Sequence, residues 1–166
     1  MAFRDGCLSI SGTGRNFMIR LNKIIATVCG IGFIKKGGGT IASIAYCIVW
    51  FWVPCFSLNL QIFLLLFVLI AGVWSSAKVE KIWGQDNFRI VIDEVAGMMI
   101  ALLFVPVKIK YVITALVLFR FFDILKPLGI KKMEKLPSGW GVMADDVLSG
   151  FYALIIIQTV ITLKLF

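Results

Sequence analysis

The sequence predicts an all-α, polytopic membrane helical bundle, with about five apolar segments and an N-terminal interfacial or re-entrant segment. Three observations predict it. Of the 166 residues, 60% are hydrophobic, against roughly 45–50% in soluble domains, and the mean hydropathy is +0.98. The apolar residues fall in long runs rather than in the alternation of a half-buried strand. The charged residues gather between those runs and at their ends. The length suits one domain, read as a polar and amphipathic arm over 1–23 followed by a membrane-embedded domain over 24–166.

Residues 1–16 read as a flexible, polar start. From Phe17 to Val28, apolar residues recur at Phe17, Leu21, Ile24, Ile25 and Val28, with Arg20 and Lys23 on another face. That pattern fits an amphipathic helix in the membrane interface. The run 24–34 holds Gly30 and Gly32 and is too short to span, so it suits an interfacial or re-entrant piece. Lys35-Lys36-Gly37-Gly38-Gly39-Thr40 breaks helical propensity. The expected spans are Ile41–Phe56, Leu60–Ala77, Glu94–Val105, Tyr111–Leu125 and Asp145–Phe166. A charged loop over 78–93 and a polar, basic loop over 126–144 separate them. Pro54 interrupts the first span, Pro106 stops the third and Pro127 ends the fourth, because proline cannot continue a helix.

Loop charge sets the expected orientation. Six Lys and Arg precede the first span, three lie in 78–93 and four in 126–144, while Lys108, Lys110 and Lys164 lie on the other side. The positive-inside rule then places the N-terminus in the cytoplasm and the C-terminus outside. All nine acidic residues fall on the cytoplasmic side of that topology. The net charge of +8 reads as contact with anionic lipid head groups, not nucleic acid. No apolar core precedes a cleavage site in the basic first 23 residues, so no secretory signal is expected.

Histidine is absent, which removes the commonest general base and zinc ligand. Cys7, Cys29, Cys47 and Cys55 show no C-x-x-C spacing and read as small hydrophobes. A C-x5-R loop, a D-x-D nucleophile motif and a D-G-x2-A-R signature are all missing.

What remains is carboxylate chemistry. Asp93, Glu94, Asp123, Asp145 and Asp146 sit at the cytoplasmic ends of three expected spans. Each has a bland explanation: acids favour helix N-termini, and Arg120 with Asp123 can pair at i, i+3. Yet charges in lipid are costly, and several together mark a polar site. The expected Mg²⁺ ligands are Glu94, Asp123 and Asp146, with Asp93 or Asp145 as the alternative within each adjacent pair; hard cations take such oxygen donors. Arg120 and Lys126 are expected to bind phosphate, with Gly39, Thr40 and Ser43 of the glycine turn adding backbone N–H and hydroxyl groups. A spare carboxylate would position water, or one Asp would attack and form an acyl-phosphate. The competing reading is a cation-binding or cation-transporting membrane protein using the same acids.

The motifs Asp93-Glu94-x-x-Gly97, Phe119-Arg120-x-x-Asp123-x-x-Lys126-Pro127 and Gly139-x-Gly141-Val142-Met143-x-Asp145-Asp146-x-x-x-Gly150 resemble those of the phosphatidylglycerophosphatase A family. The resemblance covers roughly residues 24–163. Where that family shows Pro-Gly-Thr-x-Gly-Ser, this chain has Gly38-Gly39-Thr40-Ile41-Ala42-Ser43. The resemblance implies a Mg²⁺-dependent enzyme of the bacterial inner membrane. It would convert the phospholipid phosphatidylglycerophosphate to phosphatidylglycerol and phosphate, with its active site facing the cytoplasm.

Overall fold

The computed structural model describes residues 7–53, 56–85, 87–127 and 129–164, with side chains from residue 14 onward. Asp5, Pro54, Cys55 and Asp86, and the side chain of Cys7, lie outside the described residues. The described residues are all-helical. Seven α-helices follow one another: α1 (Cys7–Ala26), α2 (Gly38–Trp50), α3 (Leu58–Trp83), α4 (Ile92–Ala101), α5 (Ile109–Leu125), α6 (Ile130–Met133) and α7 (Gly139–Thr162). A 3-10 turn at Ile31–Phe33 joins α1 to α2.

α4 is the hub. It packs on α2, α3, α5 and α7, and of its ten residues all but Glu94 and Val95 are buried. Its tightest partner is α7. A Cβ at Gly97 would strike the Phe119 ring and the carbonyl of Asp146, and one at Gly150 would strike the backbone of Gly97. Only glycine at both positions lets the two helices approach this closely. Around this contact lie two apolar clusters. One joins Cys47, Trp50, Met98, Leu102, Phe119 and Ile157. The other joins Ala26, Val79, Ile92, Ala96 and Met143.

Several boundaries differ from the sequence expectation. Residues 7–16 belong to α1, which packs on α3 and continues across residue 23. α2 begins at Gly38, so the glycine turn is its first turn rather than a loop. α3 runs on to Trp83 through Lys78, Glu80 and Lys81, all good helix formers, until Gly84 at φ 93° ends it. α4 stops at Ala101, before Pro106. α7 begins at Gly139, six residues ahead of Asp145. Gly139 is there for packing: a Cβ would collide with the Val73 carbonyl of α3.

Of the five expected apolar segments, two correspond, among the described residues, to helices long and apolar enough to cross a membrane. These are α3 at 26 residues with hydropathy 2.2 and α7 at 24 residues with hydropathy 1.5. The other apolar runs are broken into shorter helices by Trp50, Ala101 and Pro106 turns. α3 carries Phe63, Phe67, Ile70 and Trp74 on one outer stripe, each more than half exposed. An exposed apolar face of that extent is characteristic of a surface that meets lipid or another protein.

Candidate active site

The α4–α7 contact places the acids. Asp93 lies four residues before Gly97, and Asp146 four residues before Gly150. One helical turn above the glycine contact, the two carboxylates therefore come side by side. Ligand oxygens of Asp93, Glu94 and Asp146 all lie within 4.8 Å of one another. Asp145 and Asp146 are six and seven residues into α7, so neither caps that helix.

These groups open into a polar cavity of about 240 Å³, whose walls include Gly37, Gly38 and Gly39 of the α2 start, Asp93, Glu94, Arg120, Asp123, Lys126, Asp145 and Asp146. All five expected acids thus meet in one pocket, with Arg120, Lys126 and Gly39. Thr40 is not among the wall residues, and the Ser43 hydroxyl donates to the Gly39 carbonyl at 2.9 Å. The close carboxylate trio contains Asp93 where the sequence expectation has Asp123. Asp123 Oδ2 sits 2.7 Å from Arg120 Nη1, which is also 3.9 Å from Glu94 Oε1. Lys35, Asn87 and Phe88 are wall residues too. The loop bearing the last two is held by the Val91 N–H to Ala26 carbonyl bond of 2.9 Å and by Arg89 stacked over Trp83.

Lys126 does not stand free. It ends α5 in a left-handed conformation, φ 45°, and its ammonium donates to Glu134 and to Asp145, each at 2.6 Å. Glu134 was not legible as a partner: it lies eight residues on, beyond the turn at Gly129, and only its opposite charge pointed to it. Burial opposes charge on Lys126, but the bonds to Asp145 and Glu134 outweigh it and raise its pKa. A raised lysine pKa stabilises the fold in full below the unfolded value near 10.4 and fades only as pH climbs through the higher folded value. Lys126 should therefore produce no step in the unfolding midpoint between about pH 6 and 9. Lys126→Met removes the counter-charge of a nearly buried Asp145. Partial exposure of Glu134 brings the cost below the 3–5 kcal/mol of fully buried pairs, to about 2 kcal/mol. Denaturant titration of the solubilised protein would show the loss, and an unchanged midpoint would remove the clamp from the account.

The donor set fits a hard divalent cation. It is all carboxylate oxygen, and Glu94 Oε2 and Asp145 Oδ1 are buried without a hydrogen-bond donor. Such crowded acids repel one another unless a cation or protons intervene. On the basic side, Arg120 Nε and Nη1 are buried with no hydrogen-bond acceptor, since the contact to Asp123 is close but poorly aligned. The site thus sets guanidinium N–H groups without an aligned acceptor beside carboxylate oxygens without a donor.

Gly39 leaves room for the Glu94 carboxylate. A Cβ there would collide with the Glu94 carboxylate. Gly39→Ala should fold normally, because the far end of Glu94 can yield, and should lower turnover by about a hundredfold, as expected for a displacement near 1 Å. Unchanged kcat/KM in that variant would mean that the position of Glu94 does not matter.

An apolar helical scaffold holding a carboxylate pocket with guanidinium at its wall has the make-up of a phosphoryl-transfer protein. Comparison with known sequences identifies which. The phosphatidylglycerophosphatase A family model matches residues 24–161. Phosphatidylglycerophosphatase A of Haemophilus influenzae is 37% identical over 139 residues, 81% of this chain and 85% of that protein. A Bacteroides thetaiotaomicron protein, described as a candidate phosphatidylinositol-3-phosphatase, is 44% identical over 143 residues, 81% of this chain and 89% of its own. No solved structure matches. The chain belongs to the phosphatidylglycerophosphatase A family, and it is a phosphatase.

Proposed function

We propose that the protein removes the terminal phosphate of phosphatidylglycerophosphate, giving phosphatidylglycerol and phosphate, with Mg²⁺ in the carboxylate pocket. The observation that carries this reading is the single cavity in which Asp93, Glu94 and Asp146 face Arg120. Asp93, Glu94 and Asp146 hold the cation, and Asp123 is the fourth carboxylate within the same walls. A cation held there would supply Lewis-acid polarisation of the phosphoryl oxygens. Arg120, whose Nε has no hydrogen-bond acceptor in the site, turns its guanidinium to the phosphoryl oxygens and offsets the charge that develops there. The Gly37–Gly39 segment, at the N-terminus of α2, presents bare backbone to the same group. Asp145, oriented by Lys126, places the attacking water.

The setting we propose is the cytoplasmic face of the bacterial inner membrane. α3 and α7 cross the bilayer and the shorter apolar helices are embedded beside them. Support comes from the exposed apolar stripe of α3 and from the excess of Lys and Arg at the pocket end of the chain. A cation carrier built on the same acids is disfavoured by membership of a phosphatase family.

The 44%-identical Bacteroides relative favours a second reading of the substrate, a phosphoinositide monoester processed by the same groups. The test is phosphate release by purified protein from each lipid in mixed micelles, with Mg²⁺ and with a chelator. Metal-dependent release from phosphatidylglycerophosphate supports the first reading. Preference for the phosphoinositide supports the second, and release from neither sinks both.

A further inference from the structure

Resting on the lipid-phosphatase reading, we propose that the cleft between α2 and α3 seats an acyl chain of the phospholipid whose head group enters the polar pocket. α2 and α3 both pack on α4 but barely on each other. The gap leaves an apolar cavity of about 250 Å³, walled by Tyr46 and Val49 of α2, Leu65 and Val68 of α3, and Val95 and Met99 of α4.

Two features tie this cleft to the phosphate site. Glu94 and Val95 are the only α4 residues that are not fully buried. Glu94 faces the polar cavity, and its neighbour Val95 begins the floor of the apolar one. Val95 and Met99 carry that floor about 6 Å along α4, and Leu103 continues it past the helix end. On the opposite wall, Gly39 and Tyr46 are spaced by seven residues, two helical turns, and so share one face of α2, while Val53 lies in the turn just past its end at Trp50. Gly39 borders the polar cavity, and Tyr46 and Val53 border the apolar one. A molecule with a phosphate at one end and a hydrocarbon chain at the other matches both cavities in that order. The second apolar groove, walled by Ile70, Trp74, Trp140 and Val147, lacks this continuity. Its α7 residues lie on the side of that helix away from Asp145 and Asp146.

The test uses the full chain in nanodiscs, with phosphatidylglycerophosphate carrying a diazirine in mid-chain. Photolabelling should concentrate on the cleft residues Tyr46, Val49, Leu65, Val68, Val95 and Met99. Label spread over the exposed stripe of Phe63, Phe67 and Ile70 marks bulk lipid and overturns the proposal, as does absence of label from the cleft. Kinetics give an independent readout. In Val49→Trp and Leu65→Trp, the ratio of kcat/KM for the dioleoyl lipid over its dihexanoyl analogue should fall tenfold or more. Ile70→Trp, in the other groove, should leave that ratio unchanged. An unaltered ratio in the cleft variants overturns the proposal. Loss of phosphate release from every substrate strikes the phosphatase reading instead, and the labelling still decides the cleft.

Discussion

Asp146→Asn is expected to lower kcat/KM for phosphate release by about a thousandfold while leaving the helical fold intact. Asp146 is 3% exposed, and its carboxylate lies within 4.8 Å of ligand oxygens of both Asp93 and Glu94. In the proposed mechanism it holds the cation that polarises the phosphoryl group. That service is worth several kcal/mol, and about 4 kcal/mol corresponds to three decades in rate. Stability should move the other way. Three carboxylates packed together without a cation repel, so neutralising one relieves the metal-free protein. The wild-type melting temperature should rise with Mg²⁺, because a ligand that binds only the folded state stabilises it. In the variant that rise should vanish, while the metal-free midpoint stays level or increases. Wild-type turnover in Asp146→Asn, or an undiminished thermal response to Mg²⁺, would remove Asp146 from the metal site.

The acids were legible because lipid makes charge expensive. Asp123, Asp145 and Asp146 interrupt apolar runs, and such interruptions persist when the charges serve a site. The meeting of Asp93 with Asp146 follows from Gly97 and Gly150, whose spacing of four from those acids is visible in the sequence. What the pattern hid was the role of particular breakers. Gly38 and Gly139 read as loop because glycine lowers helix propensity. Both instead lie in helices: Gly38 starts α2, and Gly139 lets α7 lie against the Val73 carbonyl. Lys78–Trp83 read as loop because it is charged, yet Val79 and Glu80 turn inward on the continuing α3. Apolar runs were also read as spans, although turns after Trp50 and Ala101 shorten α2 and α4 well below a bilayer's thickness. The Lys126–Glu134–Asp145 clamp depends on a left-handed residue and a short helix, and neither leaves a periodic trace.

Gly150→Ala tests the scaffold beneath the chemistry. The added methyl would meet the carbonyl, carbonyl carbon and Cα of Gly97, the last two at 3.1 Å. Backbone in the middle of a buried helix cannot swing aside as a side chain can, so α4 and α7 must part. Overpacking of this kind costs typically 1–3 kcal/mol, and the upper end applies where both partners are main chain. The same separation acts on the acids one turn above, moving Asp93 away from Asp146. Activity should therefore fall by about a hundredfold or more in the fraction that remains folded. Gly14→Ala is the matched control: nothing lies within 4 Å of its Cβ position and it is exposed on α1. There, alanine should leave activity unchanged and add up to about 1 kcal/mol through helix propensity. If Gly150→Ala matched Gly14→Ala in both stability and turnover, the close α4–α7 contact would not be what sets the carboxylate geometry. Stability lost with turnover per folded molecule intact would place the glycine in the fold alone. Losing both together ties the packing of two glycines to the spacing of the carboxylates above them.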